Sequence, residues 1–285
     1  MPYKKIYAEV MNMRISVLGG DKRMDYAAEF LSQKYEVERI TENVSPEKKS
    51  DVILLPLPLT KNGKDISGAA PLPFEAIENY AVDNSTLILA GGECSALTEL
   101  CSRHGYSLEN YFARESLTLK NAALTAESAA AMLAQSTDGA LLDGSALIIG
   151  YGRIARYLAA RLNAFGCGVT IAARRKEQRT LAILDGYDAI TIELALNCPE
   201  KFDYIANTAP AMLFDEIKFR KIADHSVYME LASLPNAEKL AAECGARYIF
   251  AGGLPGKYSP KAAGKYIAEE AISFIESYTA QRRDQ

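Results

Sequence analysis

Short apolar runs alternate with amphipathic stretches along the whole chain. In the first half, Arg14 to Leu18, Val52 to Leu55 and Leu87 to Ala90 are compact apolar segments that read as buried strands. Helical patterning follows each of them, near Met24 to Gln33, Phe74 to Asn79 and Ala96 to Arg103. The second half repeats the alternation, with strands expected at Ala146 to Ile149, Val169 to Ala172, Tyr204 to Ala206, Val227 to Met229 and Tyr248 to Phe250. Strands separated by helices in this way predict parallel sheets, because a crossover helix is what returns the chain to the same edge.

Two longer helices frame this pattern. Glu115 to Ser136 has neither proline nor glycine and carries Ala122-Ala123-Leu124 and Ser128 to Leu133, a composition of high helix propensity that predicts an interdomain helix. Pro260 sits near a helix start, and Ile267, Ala271, Ile272 and Ile275 recur at helical spacing within Ala262 to Tyr278. That terminal helix is expected to pack back on the first domain, and the tail Ala280 to Gln285 to fray. The implied domains are 1–118 with the terminal helix 260–285, and 119–259 with the linking helix. A cleft crossed by two helices would lie between them, a common place for ligands to meet.

The 285 residues suit two domains with ordinary cores. Hydrophobic content of 49%, charged content of 24% and a mean hydropathy of -0.07 describe neither a disordered nor a membrane chain. A net charge of -4 and a pI near 5.5 argue against a nucleic-acid partner, which requires a basic face. No stretch approaches a transmembrane span, and Met1-Pro2-Tyr3-Lys4-Lys5 is not followed by a signal-peptide core, so a cytoplasmic location without membrane contact is expected. Cys94, Cys101, Cys167, Cys198 and Cys244 form no C-x-x-C pair and fit reduced thiols. His104 and His225 stand far apart without a ligand cluster, so no metal is expected.

Ser145 to Ala155 carries the chemistry. An apolar strand ends in Gly150-Tyr151-Gly152-Arg153-Ile154-Ala155, which opens into a helix and reads as a dinucleotide site. Gly150 would make the tight turn, Gly152 would admit a pyrophosphate to the backbone, and Ala155 would let helix and strand approach. The phosphates would rest at a positive helix end. About 20 residues on, where an NAD enzyme places a carboxylate on the ribose, the next strand ends in Arg174-Arg175. Two guanidiniums attract a 2′-phosphate, so NADP is favoured and NAD remains an alternative. The fold class that follows is α/β, two Rossmann-like parallel-sheet domains, the first of them flavodoxin- or Rossmann-like and binding the substrate.

Further candidates lie at the carboxyl ends of other strands, where open α/β sheets bind ligands. Asn207-Thr208-Ala209-Pro210 follows a strand of the nucleotide domain, with Asn207 and Thr208 placed to hydrogen-bond the cofactor and Pro210 to fix the turn. Gly19-Gly20-Asp21-Lys22-Arg23 lacks a third glycine, so it reads either as a substrate-carboxylate grip by Arg23 or as a solvated turn. Pro56 to Gly63 is either a stiff ligand loop presenting Thr60 and Lys61 or a plain surface loop. Glu230 to Ser233 and Gly252 to Pro260 follow the last two strands. The second presents Lys257, Tyr258 and Ser259 before a helix start, either a carboxylate site or a turn with Ser259 as its N-cap. Asn121 and Thr125 share a face of the linking helix, with Glu127 nearby. Neither histidine lies in a motif, which speaks against the histidine base of a 2-hydroxyacid dehydrogenase.

Taken together, Gly19 to Arg23, Leu55 to Pro58, Asn121 to Glu127, Gly150 to Ile154, Ala172 to Arg175 and Gly253 to Pro260 resemble the first subunit of dipicolinate synthases, in order and through both domains. That family tends to continue with glycines after the segment matching Ser233-Leu234-Pro235, where this chain has Asn236-Ala237. The resemblance implies oxidation of a dihydrodipicolinate-type substrate to pyridine-2,6-dicarboxylate, with hydride passing to NADP. Arg23, Lys257 and the helix beginning near Ser259 would hold the two carboxylates, with Tyr258 beside them. It also implies a partner, the flavoprotein-like second subunit of dipicolinate synthase, together with a role in spore formation in the mother cell. A homo-oligomer is left open. The alternatives are another two-domain NADP-dependent oxidoreductase of a small carboxylate, and an NADP-sensing subunit without turnover.

Overall fold

The computed structural model describes residues 13–70, 72–136, 139–222, 224–232 and 237–282. The chain divides into two compact units, one running to Lys120 and resuming at Ser259, the other Asn121–Tyr258.

The first unit runs β1 (Arg14–Leu18), α1 (Lys22–Leu31), β2 (Glu36–Ile40), β3 (Val52–Leu54), the short pair β4 (Asp65–Ile66) and β5 (Leu72–Pro73), α2 (Ile77–Tyr80), β6 (Leu87–Ala90), α3 (Ser95–His104) and β7 (Ser107–Asn110). Its sheet has the order β2-β1-β3-β6-β7, every pairing parallel. Alternate strand residues serve opposite faces: Val52, Leu54, Leu87 and Leu89 enter one core, Ile53, Ile88 and Ala90 the other. Two strands escape the apolar pattern for the same reason. β2, Glu-Val-Glu-Arg-Ile, is an edge strand whose Glu36 and Glu38 both pair with Arg14, and β7 is a polar edge on the opposite side.

The linking helix is α4 (Glu115–Gln135), and the unit boundary falls after its Lys120. Leu117 belongs to the first unit's core, whereas Ala126, Ala129, Ala130 and Leu133 belong to the second's.

The second unit continues with β8 (Ser145–Ile149), α5 (Arg153–Ala164), β9 (Gly168–Ala172), α6 (Lys176–Leu184), β10 (Asp188–Ile190), α7 (Ile192–Asn197), β11 (Tyr204–Asn207), α8 (Glu216–Phe219), β12 (Val227–Glu230), α9 (Glu238–Glu243), β13 (Arg247–Phe250) and α10 (Leu254–Tyr258). The parallel sheet order β10-β9-β8-β11-β12-β13 is that of a doubly wound dinucleotide fold, with β8 as the first strand and the reversal point between β8 and β11. Phe214, Phe219, Tyr228 and Tyr248 make an aromatic cluster in its core.

The terminal helix α11 (Pro260–Gln281) lies on α1 within the first unit, as its apolar spacing predicts. Gly264 sets the approach: a Cβ there would come within 2.4 Å of the Arg23 carbonyl oxygen. The expected fraying of the tail is corrected at Ala280 and Gln281, which are helical; residues 283–285 lie outside the described residues. Among the described residues, no helix is long and apolar enough to cross a membrane.

Candidate dinucleotide site

At the end of β8 the backbone turns through Gly150, whose φ of +93 favours glycine. Its N–H donates to the Ala172 carbonyl at 2.8 Å, tying the turn to β9. A Cβ here would stand 2.6 Å from Thr208 Oγ1, and Thr208 is held in place because its N–H and hydroxyl both donate to the Ile149 carbonyl, at 2.9 and 2.8 Å. Gly152 differs in kind. It is the N-cap of α5 with ordinary extended backbone, φ -93, and a Cβ on it would meet nothing within 4 Å. No protein group demands glycine there, and the space in front of it is open.

That opening faces the start of α5, where Gly152 supplies no side-chain cap. Ala155 is fully buried beside β8, and its small side chain permits the close helix–strand contact. Arg153 is exposed and Ile154 packs its side chain against the core. An open glycine, an N-cap without a side-chain hydrogen bond and close packing behind them are what a pyrophosphate requires. The Tyr151 side chain is engaged within the protein. Its ring is buried and its hydroxyl donates to Asp185 Oδ2 at 2.6 Å; burial, reinforced by that carboxylate, pushes the phenol pKa up.

Arg174 and Arg175 are both exposed after β9, and Arg175 occupies the N-cap position of α6 without a side-chain cap bond. The nearest carboxylate in sequence is Glu177, in the first turn of α6. Beneath the turn is a residue that sequence reasoning passes over. Arg179 Nη1 donates to the carbonyls of Ala173 and Arg174, each at 2.8 Å. Its position four residues after Arg175 on α6, which turns it back toward the helix start, is the available signal.

The Asn207 and Thr208 side chains both hydrogen-bond protein groups. Asn207 is fully buried; Nδ2 donates to Glu230 Oε1 and Oε2, both at 3.1 Å, and Oδ1 accepts the Ala209 N–H at 3.0 Å. Glu230, 2% exposed, also accepts from the Tyr228 hydroxyl at 3.2 Å and the Ala232 N–H at 3.1 Å. Burial raises its carboxyl pKa, and these donors only partly oppose the rise. The pair braces the turn that ends in exposed Pro210.

The other candidates divide between the units. Lys257 and Tyr258 lie inside α10, not on a loop before a helix, and both are exposed, Tyr258 by 58%. Ser259 is the N-cap of α11, as the turn reading has it, without a side-chain cap bond. Arg23 is neither solvated nor an unencumbered grip: buried in the first turn of α1, it donates from Nε to Asp21 Oδ1 at 2.9 Å and from Nη2 to Oδ2 at 2.8 Å. Asp21 in turn caps α1 by accepting the Arg23 N–H at 3.0 Å. Thr60 accepts the Gly63 N–H in a local turn. Thr125 is buried and donates back to the Asn121 carbonyl at 2.8 Å. His104 and His225 sit beside Glu78 and Asp203, and His225 precedes β12, at the strand end opposite Glu230. Ser233 to Asn236 lie outside the described residues.

The doubly wound sheet with its glycine turn, following a second parallel α/β unit, is the fold of two-unit dehydrogenases. The pyruvate reductase of Chlamydomonas reinhardtii shares it with a TM-score of 0.63, at 13% identity, over 96% of this chain and 98% of that one. A more particular likeness is to the first subunit of dipicolinate synthase. The Bacillus subtilis (strain 168) protein is 22% identical over 241 residues, 83% of this chain and 81% of the relative. The crystal structure of the corresponding Bacillus halodurans protein matches with a TM-score of 0.81, at 22% identity, over 93% of this chain and 98% of that one. The resemblance drawn from the motifs and the α/β class are thereby both borne out. No family model matches the chain.

Proposed function

We propose that this chain is an NADP-dependent oxidoreductase that converts a dihydrodipicolinate-type substrate to pyridine-2,6-dicarboxylate in the cytoplasm, working with a second, flavoprotein-like subunit. The observation that carries this reading is the similarity to the first subunit of dipicolinate synthase over 83% of the chain, joined to a glycine turn whose geometry suits a dinucleotide. When bound, the nicotinamide supplies a hydride acceptor. Two hydrogens leave the ring of the substrate, one as hydride and one as a proton released to water. Aromatisation provides the driving force, so the protein's task is alignment and charge neutralisation.

Several residues share that task. Gly150 and Gly152 let the backbone reach the pyrophosphate, and the first turn of α5 supplies N–H donors to it. Arg174 and Arg175 take the 2′-phosphate through charge-assisted hydrogen bonds. The turn from Asn207 to Ala211, braced by the Asn207–Glu230 hydrogen bonds, would flank the nicotinamide end of the cofactor and limit its movement. Lys257 offers an ammonium to a substrate carboxylate, with the Tyr258 hydroxyl and Ser259 as the donors next in sequence. Arg23 serves α1 through Asp21 and acts as a structural residue.

The test is a substrate panel with the chain alone and co-expressed with the flavoprotein-like partner, each with NADP and NAD. NADPH formation from dihydrodipicolinate, and none from 2-hydroxy or 2-keto acids, is the expected result. Turnover of another small carboxylate instead would replace the substrate, and tight NADP binding without turnover in either preparation would make the chain a sensor.

A further inference from the structure

Resting on the NADP-binding reading above, we infer that Arg179 is the positioning residue that sets the preference for NADP over NAD. Two carbonyls at the end of β9, those of Ala173 and Arg174, point to one spot, where a single nitrogen, Arg179 Nη1, donates to both at 2.8 Å. Two converging carbonyl dipoles present negative potential at the place where a dinucleotide fold brings its adenosine ribose. Left bare, they would favour a hydroxyl donor and repel a phosphate. The guanidinium covers both with a permanent positive charge, since arginine does not deprotonate in proteins.

The same contact fixes geometry. Arg174 lies between the end of β9 and α6, and its own carbonyl is one of the two that are bonded, so the peptide leading into Arg175 cannot rotate freely. Arg175 at the N-cap position and Arg174 beside it are both exposed and carry long flexible side chains. Holding their backbone leaves only side-chain freedom to be lost on binding a 2′-phosphate. Arg179 acts through this backbone and through its charge, and Arg174 and Arg175 remain the groups that touch the phosphate.

The experiment is equilibrium binding of NADP and of NAD by calorimetry to the full chain and to Arg179→Ala, with Arg179→Gln as the variant that retains an amide donor for the carbonyls but no charge. The wild type is expected to bind NADP more tightly than NAD. In Arg179→Ala the ratio of the two affinities should fall by about tenfold or more, the size of a lost charge-assisted contact, with NAD affinity nearly unchanged. Arg179→Gln should lose most of the ratio as well. An unchanged ratio in whichever variant folds, or an equal loss of both cofactors, would overturn the assignment. A wild-type chain that binds neither nucleotide, or prefers NAD, would instead overturn the NADP reading on which it rests.

Discussion

Thr208 occupies the place where a side chain on Gly150 would have to go: its hydroxyl oxygen lies 2.6 Å from the position of a Cβ on the glycine. Gly152, two residues on, has nothing within 4 Å of the same position. Gly150 is therefore required by the protein itself, whereas no protein group requires glycine at 152; on the proposed reading the dinucleotide does. Gly150→Ala should destabilise the second unit by at least about 1–2 kcal/mol from its positive φ alone, with the Thr208 clash adding to that. Gly152→Ala should cost stability only as a poorer N-cap of α5, less than Gly150→Ala, yet weaken NADP binding about tenfold or more, because the methyl group fills the approach to the pyrophosphate. Equal effects of the two substitutions on stability would refute the distinction.

The Glu230 carboxylate accepts from three neighbouring groups, and isosteric replacement reverses the polarity of one of its atoms. Glu230→Gln keeps one acceptor but turns an amide donor toward Asn207 or Tyr228, whose own groups are donors. A buried unsatisfied donor costs about 1–3 kcal/mol, which urea unfolding would register. Because the brace underlies the turn to Ala211, NADP affinity should fall too.

Asp21 and Arg23 make a pH-dependent contribution to the first unit. Burial works against ionisation of Asp21, but the hydrogen bonds and charge of Arg23 outweigh it, and the carboxyl titrates below its ordinary value of 3.8. A depressed carboxyl stabilises the fold above its unfolded pKa and loses that contribution as pH falls through the lower folded value. Arg23→Ala should thus destabilise the chain near neutrality, with the difference from wild type shrinking at pH below 3.8. Urea unfolding across that range measures it.

Gly264 governs the seat of α11 on α1. A Cβ would meet the Arg23 carbonyl oxygen at 2.4 Å, Tyr26 Cβ at 2.7 Å and the Ala27 nitrogen at 3.0 Å, and two of these are backbone atoms that cannot step aside singly. Gly264→Ala should lower the thermal midpoint, although alanine is the better helix former by about 1 kcal/mol. An unchanged or raised midpoint would show that the helices separate easily.

The α/β alternation was legible in the sequence because central strands are buried on both faces and read as unbroken apolar runs. Of the edge strands of the two larger sheets, β2, β7 and β10 were not, whereas β13 was. β2 carries Glu36, Glu38 and Arg39 in five residues, and its two glutamates are matched by Arg14 of β1, 22 positions away from Glu36. The glycine turn could be read from spacing, since its chemistry is local. The roles of Asn207, Tyr151 and Arg23 could not, because each is decided by a carboxylate that the fold or a local turn brings up: Glu230, Asp185 and Asp21. Residue type announced hydrogen-bonding capacity in all three, and only the structure shows where it is used.

A product stoichiometry tests the proposed reaction most directly. The chain together with its flavoprotein-like partner, given freshly generated dihydrodipicolinate and NADP, should form NADPH and pyridine-2,6-dicarboxylate in equal amounts, with both forming more slowly at limiting NADP when Gly152→Ala replaces the wild type. Dipicolinate arising without NADPH, or at the same rate when NADP is withheld, would contradict it.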